Sequence, residues 1–242
     1  MGHNPPISEE PSLFFVERRG ARVTLFGPEG RYSIYRPQRV FTGMGWDAQA
    51  ASALLAGRAP RSALLLGYGG GTVARQLRVM FPRIRLTGVE IDTRIIHAAA
   101  RYFSSGDVGV KILAGCGEQY IRDSRQLYDF VLDDMWDHDQ ERPRAIIANS
   151  QWLSSVARRL TRAGVYAANI YSRRRAPADY DVAVRRMRRV FAAVTRVSLQ
   201  HEMVCVLAGS VEPICPRRIH GLLSRMNRAT RQSLAQIDLT SC

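Results

Sequence analysis

Apolar and polar positions follow two rhythms along the chain. Three short extended runs come first, Leu13–Glu17, Arg22–Phe26 and Tyr32–Tyr35, separated by Arg-Gly and Gly-Pro-Glu-Gly, which read as turns. They predict a small antiparallel β annex over residues 12–46, behind a loose tail at 1–11. Residues 47–56 have a helical pattern and lead through Pro60 into the longer alternation. Buried runs near 62–66, 84–89, 109–113, 128–133 and 165–170 predict strands. Helical patterns near 71–80, 93–103, 117–124 and 150–163 lie between them. In the last of these Leu153, Val156, Ala157 and Leu160 form one stripe, with Asn149 or Ser150 as cap and Gly164 as stop. A helix at 179–192 follows, then two neighbouring extended runs, Val194–Leu199 and Met203–Ala208, and a terminal helix over 217–235. The alternation predicts an α/β fold over 47–242, a doubly wound, Rossmann-like, mainly parallel sheet with an antiparallel last strand.

Within that frame, Ala63 to Asp92 is a strand, a glycine turn, a helix and a second strand ending in a carboxylate. Gly67 permits a tight exit from the first strand, while Gly69 and Gly71 let backbone approach a ligand where a Cβ would clash. Glu90 stands roughly 20 residues on, where an acid can accept both hydroxyls of a ribose. A dinucleotide fingerprint would need glycine or alanine at 72, and the chain has Thr72. Glycines at 67, 69 and 71 instead match the G-x-G-x-G pattern of S-adenosylmethionine sites. A glycine turn by itself also serves geometry alone, so the reading depends on the strand, helix and Glu90 being in register with it.

Composition narrows the partners. The chain has 242 residues, 46% of them hydrophobic, enough for one full α/β domain with an annex. No apolar run reaches the ~18 residues of a membrane span, and the first residues lack the charged and apolar regions of an export signal. The cysteines at 116, 205, 215 and 242 show no C-x-x-C pairing and the histidines are scattered, which argues against a zinc cluster and for a reducing cytoplasm. The net charge of +14 is almost entirely arginine. Over Asp181 to Phe191, Val184, Met187 and Phe191 mark one face while Arg185, Arg186, Arg188 and Arg189 fall mostly elsewhere, a solvated face rather than a nucleic-acid groove.

These motifs resemble the spermidine synthase-like branch of the class I S-adenosylmethionine-dependent transferases, from about Phe41 to Ile170. The markers are Gly67-Tyr-Gly-Gly-Gly-Thr, Val89-Glu-Ile-Asp, the helix containing Ala100-Arg-Tyr-Phe, and Tyr128-Asp-Phe-Val-Leu-Asp-Asp-Met-Trp-Asp. The final hairpin-like pair is also the ending of that fold. The resemblance implies that Gly67, Tyr68, Gly69, Gly71, Glu90, Ile91, Cys116, Gly117 and Asp134 hold the adenosyl donor. It further implies that Asp134 and Asp137 face an amine. The donor is S-adenosylmethionine or its decarboxylated form, as co-substrate, with no metal. The implied partner is a small-molecule amine, with no nucleic acid or membrane and with room for a homodimer. Two elements depart from the pattern. Gly115-Cys116-Gly117 replaces an aspartate that would accept from the adenine amino group, which moves that role to Glu118 or backbone. Asp134-Met-Trp-Asp137-His138 keeps both acids of the polyamine-making pattern but loses its small residues and proline, and the usual Tyr-Gln pair of the annex is missing.

Asp129, Asp133, Asp134, Asp137, Asp139 and Glu141 crowd one stretch of a basic protein. Acids in the loop leaving a central strand can select a cationic substrate, and a carboxylate there can take the proton an amine must lose before attacking a sulfonium carbon. Asp129 reads as a cap or solvated group, Asp133 as the partner of an arginine, Trp136 as pocket wall or core, His97 as packing, and Cys116 as a small buried side chain beside adenine. Alongside amine alkylation by aminopropyl transfer stand small-molecule methylation, cyclisation of the donor's own aminobutyrate arm, and nucleoside binding without catalysis.

Overall fold

The structure, a computed structural model, describes residues 14–28, 30–137, 142–143, 149–171, 174–199 and 204–242. The predicted tail and residues 138–141, with Asp139 and Glu141, lie outside the described residues. Strands β1 (Phe15–Arg19), β2 (Arg22–Gly27) and β3 (Gly30–Tyr35) form an antiparallel meander. Alternation puts Val23 and Leu25 on its inner face, where they pack with Ile95 and Phe103 of the larger unit.

Helix α1 (Gly45–Ala51) and the 3-10 turn Ser52–Leu55 are rich in alanine, and these small side chains let the helix lie close against the sheet. Asp47 fixes the helix start, accepting from the Thr42 and Gly43 backbone and from Gln76 Nε2 at 2.7 Å. The wound region then runs β4 (Ser62–Leu66), α2 (Thr72–Met80), β5 (Arg85–Glu90), α3 (Thr93–Tyr102), β6 (Val110–Ala114), α4 (Gly117–Asp123) and β7 (Tyr128–Asp133). Two short strands follow, β8 (Trp136–Asp137) and β9 (Arg142–Pro143), then α5 (Ser150–Ala157), β10 (Leu160–Tyr171), α6 (Pro177–Met187), β11 (Ala193–Leu199) and β12 (Val204–Ser210). The chain ends with α7 (Pro216–Ser224), α8 (Arg228–Leu234) and β13 (Ile237–Ser241).

The main sheet has the order β13-β11-β12-β10-β7-β4-β5-β6. Pairings from β10 to β6 are parallel, and those among β10, β12, β11 and β13 are antiparallel. β4 and β7 are buried at every position, as expected for central strands covered by helices on both faces.

Three sequence expectations need correction. The helix expected over 150–163 stops at Ala157. Leu160 continues the helical stripe but pairs in register with Tyr128, and Gly164 lies inside strand β10 beside its bulge, not at a helix end. Sheet hydrogen bonding outweighs the helical period there. The terminal helix over 217–235 is two helices. Met226 turns inward and Asn227 starts the second helix by accepting from Thr230 N at 2.9 Å. The unpredicted strand β13 pairs along β11 as an exposed edge, so no buried run announced it.

Candidate active site

The glycine turn leaves β4 at the carboxyl edge of the parallel sheet. Gly67, Gly69 and Gly71 have φ of +79°, +56° and +77°, the left-handed region that glycine enters without strain. The turn is pinned from beneath, since the N–H groups of Gly67 and Tyr68 both donate to Val89 O. It is also pinned from the annex. Gly70 N donates to Ser33 Oγ at 2.7 Å, and Thr72 Oγ1 both accepts from Ile34 N at 2.9 Å and donates to Ile34 O at 3.0 Å. Thr72, which breaks the dinucleotide pattern, therefore docks β3 onto the start of α2. A Cβ on Gly70 would come within 2.8 Å of Phe103 and Ser33, so this glycine is required by packing although its spacing carried no signal.

Glu90, at the end of β5, is buried and accepts from Gly69 N at 2.9 Å and Asp92 N at 3.2 Å. Burial raises its pKa, while the Gly69, Asp92 and Ile91 backbone bonds act against the rise. The carboxylate thus holds the glycine turn at the same edge where it would meet a ribose. Asp92 caps α3, accepting from Arg94 N at 2.8 Å, and the hydrogen-bonded Arg94 side chain leads the causes that lower its pKa. Ile91 is 69% exposed beside Glu90, an apolar surface open to a flat ring. Tyr68 turns inward: a Cβ on Gly88 would lie 2.5 Å from its ring, and burial pushes its hydroxyl up to about 12. Its contribution at the surface is backbone.

Cys116 is exposed at the N-cap of α4, not the buried side chain expected. Gly117, the first residue of that helix, lets it approach Met135, whose sulfur would lie 2.6 Å from an added Cβ. His97 is likewise exposed on α3, so packing does not explain it.

The acids leave β7 next to the glycine turn. A Cβ on Gly67 would lie 2.5 Å from Asp134 O, and Asp134 N donates to Leu66 O at 2.9 Å. The Asp134 side chain is half-buried and accepts from Asn169 Nδ2 at 2.7 Å. Burial moves its pKa from 3.8 up to about 7; hydrogen bonds from Asn169, Gln49 and Trp136 oppose the rise, and the charge of Asp133 adds to it. Asp133 is held by aromatic side chains. It is buried on the sheet's other face and accepts from Tyr166 Oη at 2.7 Å and Trp152 Nε1 at 3.1 Å. Trp136 is half-buried and touches Asp134. The backbone of Asp137 pairs with Arg142 in the β8–β9 ladder. Asp129 lies at the opposite end of β7. It is buried and bonded to Arg58, Arg61 N and Thr161, so it is neither a helix cap nor solvated. Sequence reasoning missed Ser33, Gln49 and Asn169. Only Asn169 carried a signal, a polar side chain within the buried run Val165–Ile170.

Strand order, glycine turn and acid-ended β5 together define the fold of the class I S-adenosylmethionine-dependent transferases. No family model matches the chain. It is 36% identical over 112 residues to a probable polyamine aminopropyl transferase of Bifidobacterium longum, a match covering 46% of this chain and 24% of that one. It is 29% identical over 140 residues to the polyamine aminopropyltransferase of Thermoplasma volcanium, covering 56% and 50%. The chain thus spans half or less of the length of these curated relatives. In fold it is similar to a probable spermidine synthase from Corynebacterium glutamicum, with a TM-score of 0.74 at 17% identity over 98% of this chain and 91% of that one. Human methyltransferase-like protein 13 in complex with SAH gives 0.64 at 22% identity, over 78% and 91%. The spermidine synthase-like resemblance holds in sequence and in fold.

Proposed function

We propose that the chain is a spermidine synthase-like transferase that moves an aminopropyl group from decarboxylated S-adenosylmethionine to a small-molecule amine. The observation that carries this reading is Asp134, whose backbone lies against the glycine turn and whose half-buried carboxyl group, held by Asn169, is pushed by burial up to about 7. The names of the relatives support the same chemistry. Glu90, Ile91 and the backbone at 67–71 and 116–117 would hold the nucleoside. Asp134 would hold the ammonium group and take its proton, with Asp137 assigned to the far part of the amine. The freed nitrogen pair then forms the N–C bond as the C–S bond breaks, its electrons passing to sulfur. A base titrating near the working pH suits this step, and the remaining gain comes from in-line positioning.

Incubation with each adenosyl donor and a set of amines, followed by mass identification of the nucleoside, tests the proposal. Methylthioadenosine that appears only when an amine is present is expected. S-adenosylhomocysteine would indicate methylation, methylthioadenosine without an amine would indicate cyclisation, and no product would leave a binding protein. A second expectation concerns Glu90→Gln, which keeps the shape and removes the charge. Donor affinity should fall about 10–100-fold, the worth of a charged hydrogen bond. Unchanged affinity by calorimetry would remove Glu90 from the site.

A further inference from the structure

Acids and arginines stand at opposite edges of the main sheet. Glu90 and Asp133 end strands at the carboxyl edge and Asp134 follows, whereas arginines lead the chain into the sheet at the amino edge. Four adjacent strands, β10, β7, β4 and β5, enter there. Arg158 and Arg159 precede β10, Arg125 stands before β7, Arg61 before β4, and Arg83 and Arg85 lead β5. Backbone bonds hold these leads side by side: Arg85 N donates to Arg61 O at 2.9 Å, and Tyr128 N to Arg159 O at 2.8 Å. With strands about 4.8 Å apart, the strip is roughly 14 Å wide. The side chains of Arg61, Arg83, Arg85 and Arg125 are exposed and have no hydrogen-bonded or ionic partner among the described residues. Acids bound the strip: Glu212, beyond β12, pairs with Arg162 at 2.9 Å, and Asp107 precedes β6. Of the nearer acids, Asp129 is buried and bonded to Arg58, and Asp123 at the end of α4 accepts from Gln119 at 2.6 Å. Cations in a helix's last turn complement its dipole, which accounts for Arg78 and Arg122. It does not account for the four unpaired arginines in loops and at a strand start, whose mutual repulsion costs stability.

We propose that this arginine strip is a docking surface for the phosphodiester backbone of a nucleic acid, bound without regard to base sequence. Guanidinium groups are forked donors that meet phosphate oxygens in pairs and keep their charge at any working pH. A strip of them engages a chain of phosphates at several points, and each contact releases counterions. An anionic membrane fits less well, because docking there joins the charge to a continuous apolar face. The exposed apolar side chains at this edge come singly from three elements: Val79 from α2, Leu127 from the lead into β7, and Val211 from the loop after β12. A nucleic acid held here leaves the acids of the opposite edge open to a cationic amine. The surface goes beyond the transferase reading and does not depend on it.

Fluorescence anisotropy with labelled DNA and RNA duplexes of about 20 base pairs, read at several salt concentrations, tests the proposal. Binding of either duplex is expected at about 50 mM salt, weakening as salt rises with a log–log slope of about −3 to −4. The triple variant Arg61→Gln, Arg85→Gln, Arg125→Gln should bind every sequence more weakly and flatten the slope by about one for each arginine. Its Tm and its affinity for the adenosyl donor should stay near the parent values. A second variant, Arg18→Gln, Arg19→Gln, Arg31→Gln, removes the same charge from exposed positions of the annex, which docks at the opposite edge. It should bind the duplexes like the parent. Equal weakening by the two variants would overturn the proposal, because binding would then follow the net charge of +14 and not the strip. Failure of both duplexes to bind would overturn it as well. Vesicles of phosphatidylserine and phosphatidylcholine form the last arm: vesicle binding lost in the strip variant, with neither duplex bound, would replace the nucleic acid with a membrane.

Discussion

Asp134→Asn is expected to cut turnover by about 10²–10⁴-fold, the usual worth of general acid–base help, with donor affinity nearly unchanged. The substitution keeps the volume and polarity while removing both charge and basicity. Asn169 and Gln49 both contact the position it changes. The stability of the same variant should move the other way. A carboxyl group whose pKa rises from 3.8 to about 7 on folding binds protons more readily in the folded than in the unfolded state. Stability of the parent therefore falls as the pH rises through that window. Asp134→Asn escapes this loss, so its advantage in urea unfolding should grow between pH 4 and pH 7 and then level off. Steady-state kinetics with parallel unfolding curves at several pH values read both effects. Full activity would take Asp134 out of the mechanism and leave the nucleoside site standing.

Asp129→Ala should have the largest effect on stability, about 3–5 kcal/mol, the range for removing one partner of a buried ion pair. Asp129 has a side-chain exposure of 2% and accepts from Arg58 at 2.7 Å, Arg61 N at 2.8 Å and Thr161 Oγ1 at 2.8 Å. It joins the approach to β4, the start of β7 and the start of β10 at the edge opposite the active site. Its loss leaves a backbone N–H and a hydroxyl without their acceptor. Arg58 is 46% exposed and can return to water, which places the effect toward the lower end of the range. A Tm lower by about 10 °C is the matching thermal result. Donor affinity measured well below that temperature should remain near the parent value. A parent-like unfolding midpoint would show that the cluster contributes nothing net.

The two acids of β7 show how far pattern reading reaches. Asp129 and Asp134 belong to one acidic stretch and look alike in sequence. Strand direction separates them, placing Asp134 at the carboxyl edge where ligands sit in doubly wound sheets and Asp129 at the amino edge among arginines. Asp133 stands one residue from Asp134, and the strand's two-residue period turns it to the other face, where Trp152 and Tyr166 hold it. The Leu160 stripe misled for a related reason. An apolar residue at helical spacing is equally at home in a buried strand, and only the pairing with Tyr128 decides.

By itself the sequence determined the alternation of strands and helices, the glycine turn with Glu90 in register, and the adenosyl-type spacing. These are local properties, written in residue period and in the backbone freedom of glycine. The tertiary structure alone decided that burial raises the pKa of Asp134 while hydrogen bonds from α1, β8 and β10, distant in sequence, oppose the rise. It also decided that Ser33 and Thr72 bind the annex to the glycine turn. Burial and long-range hydrogen bonds arise only once the segments have packed, so no window of sequence contains them.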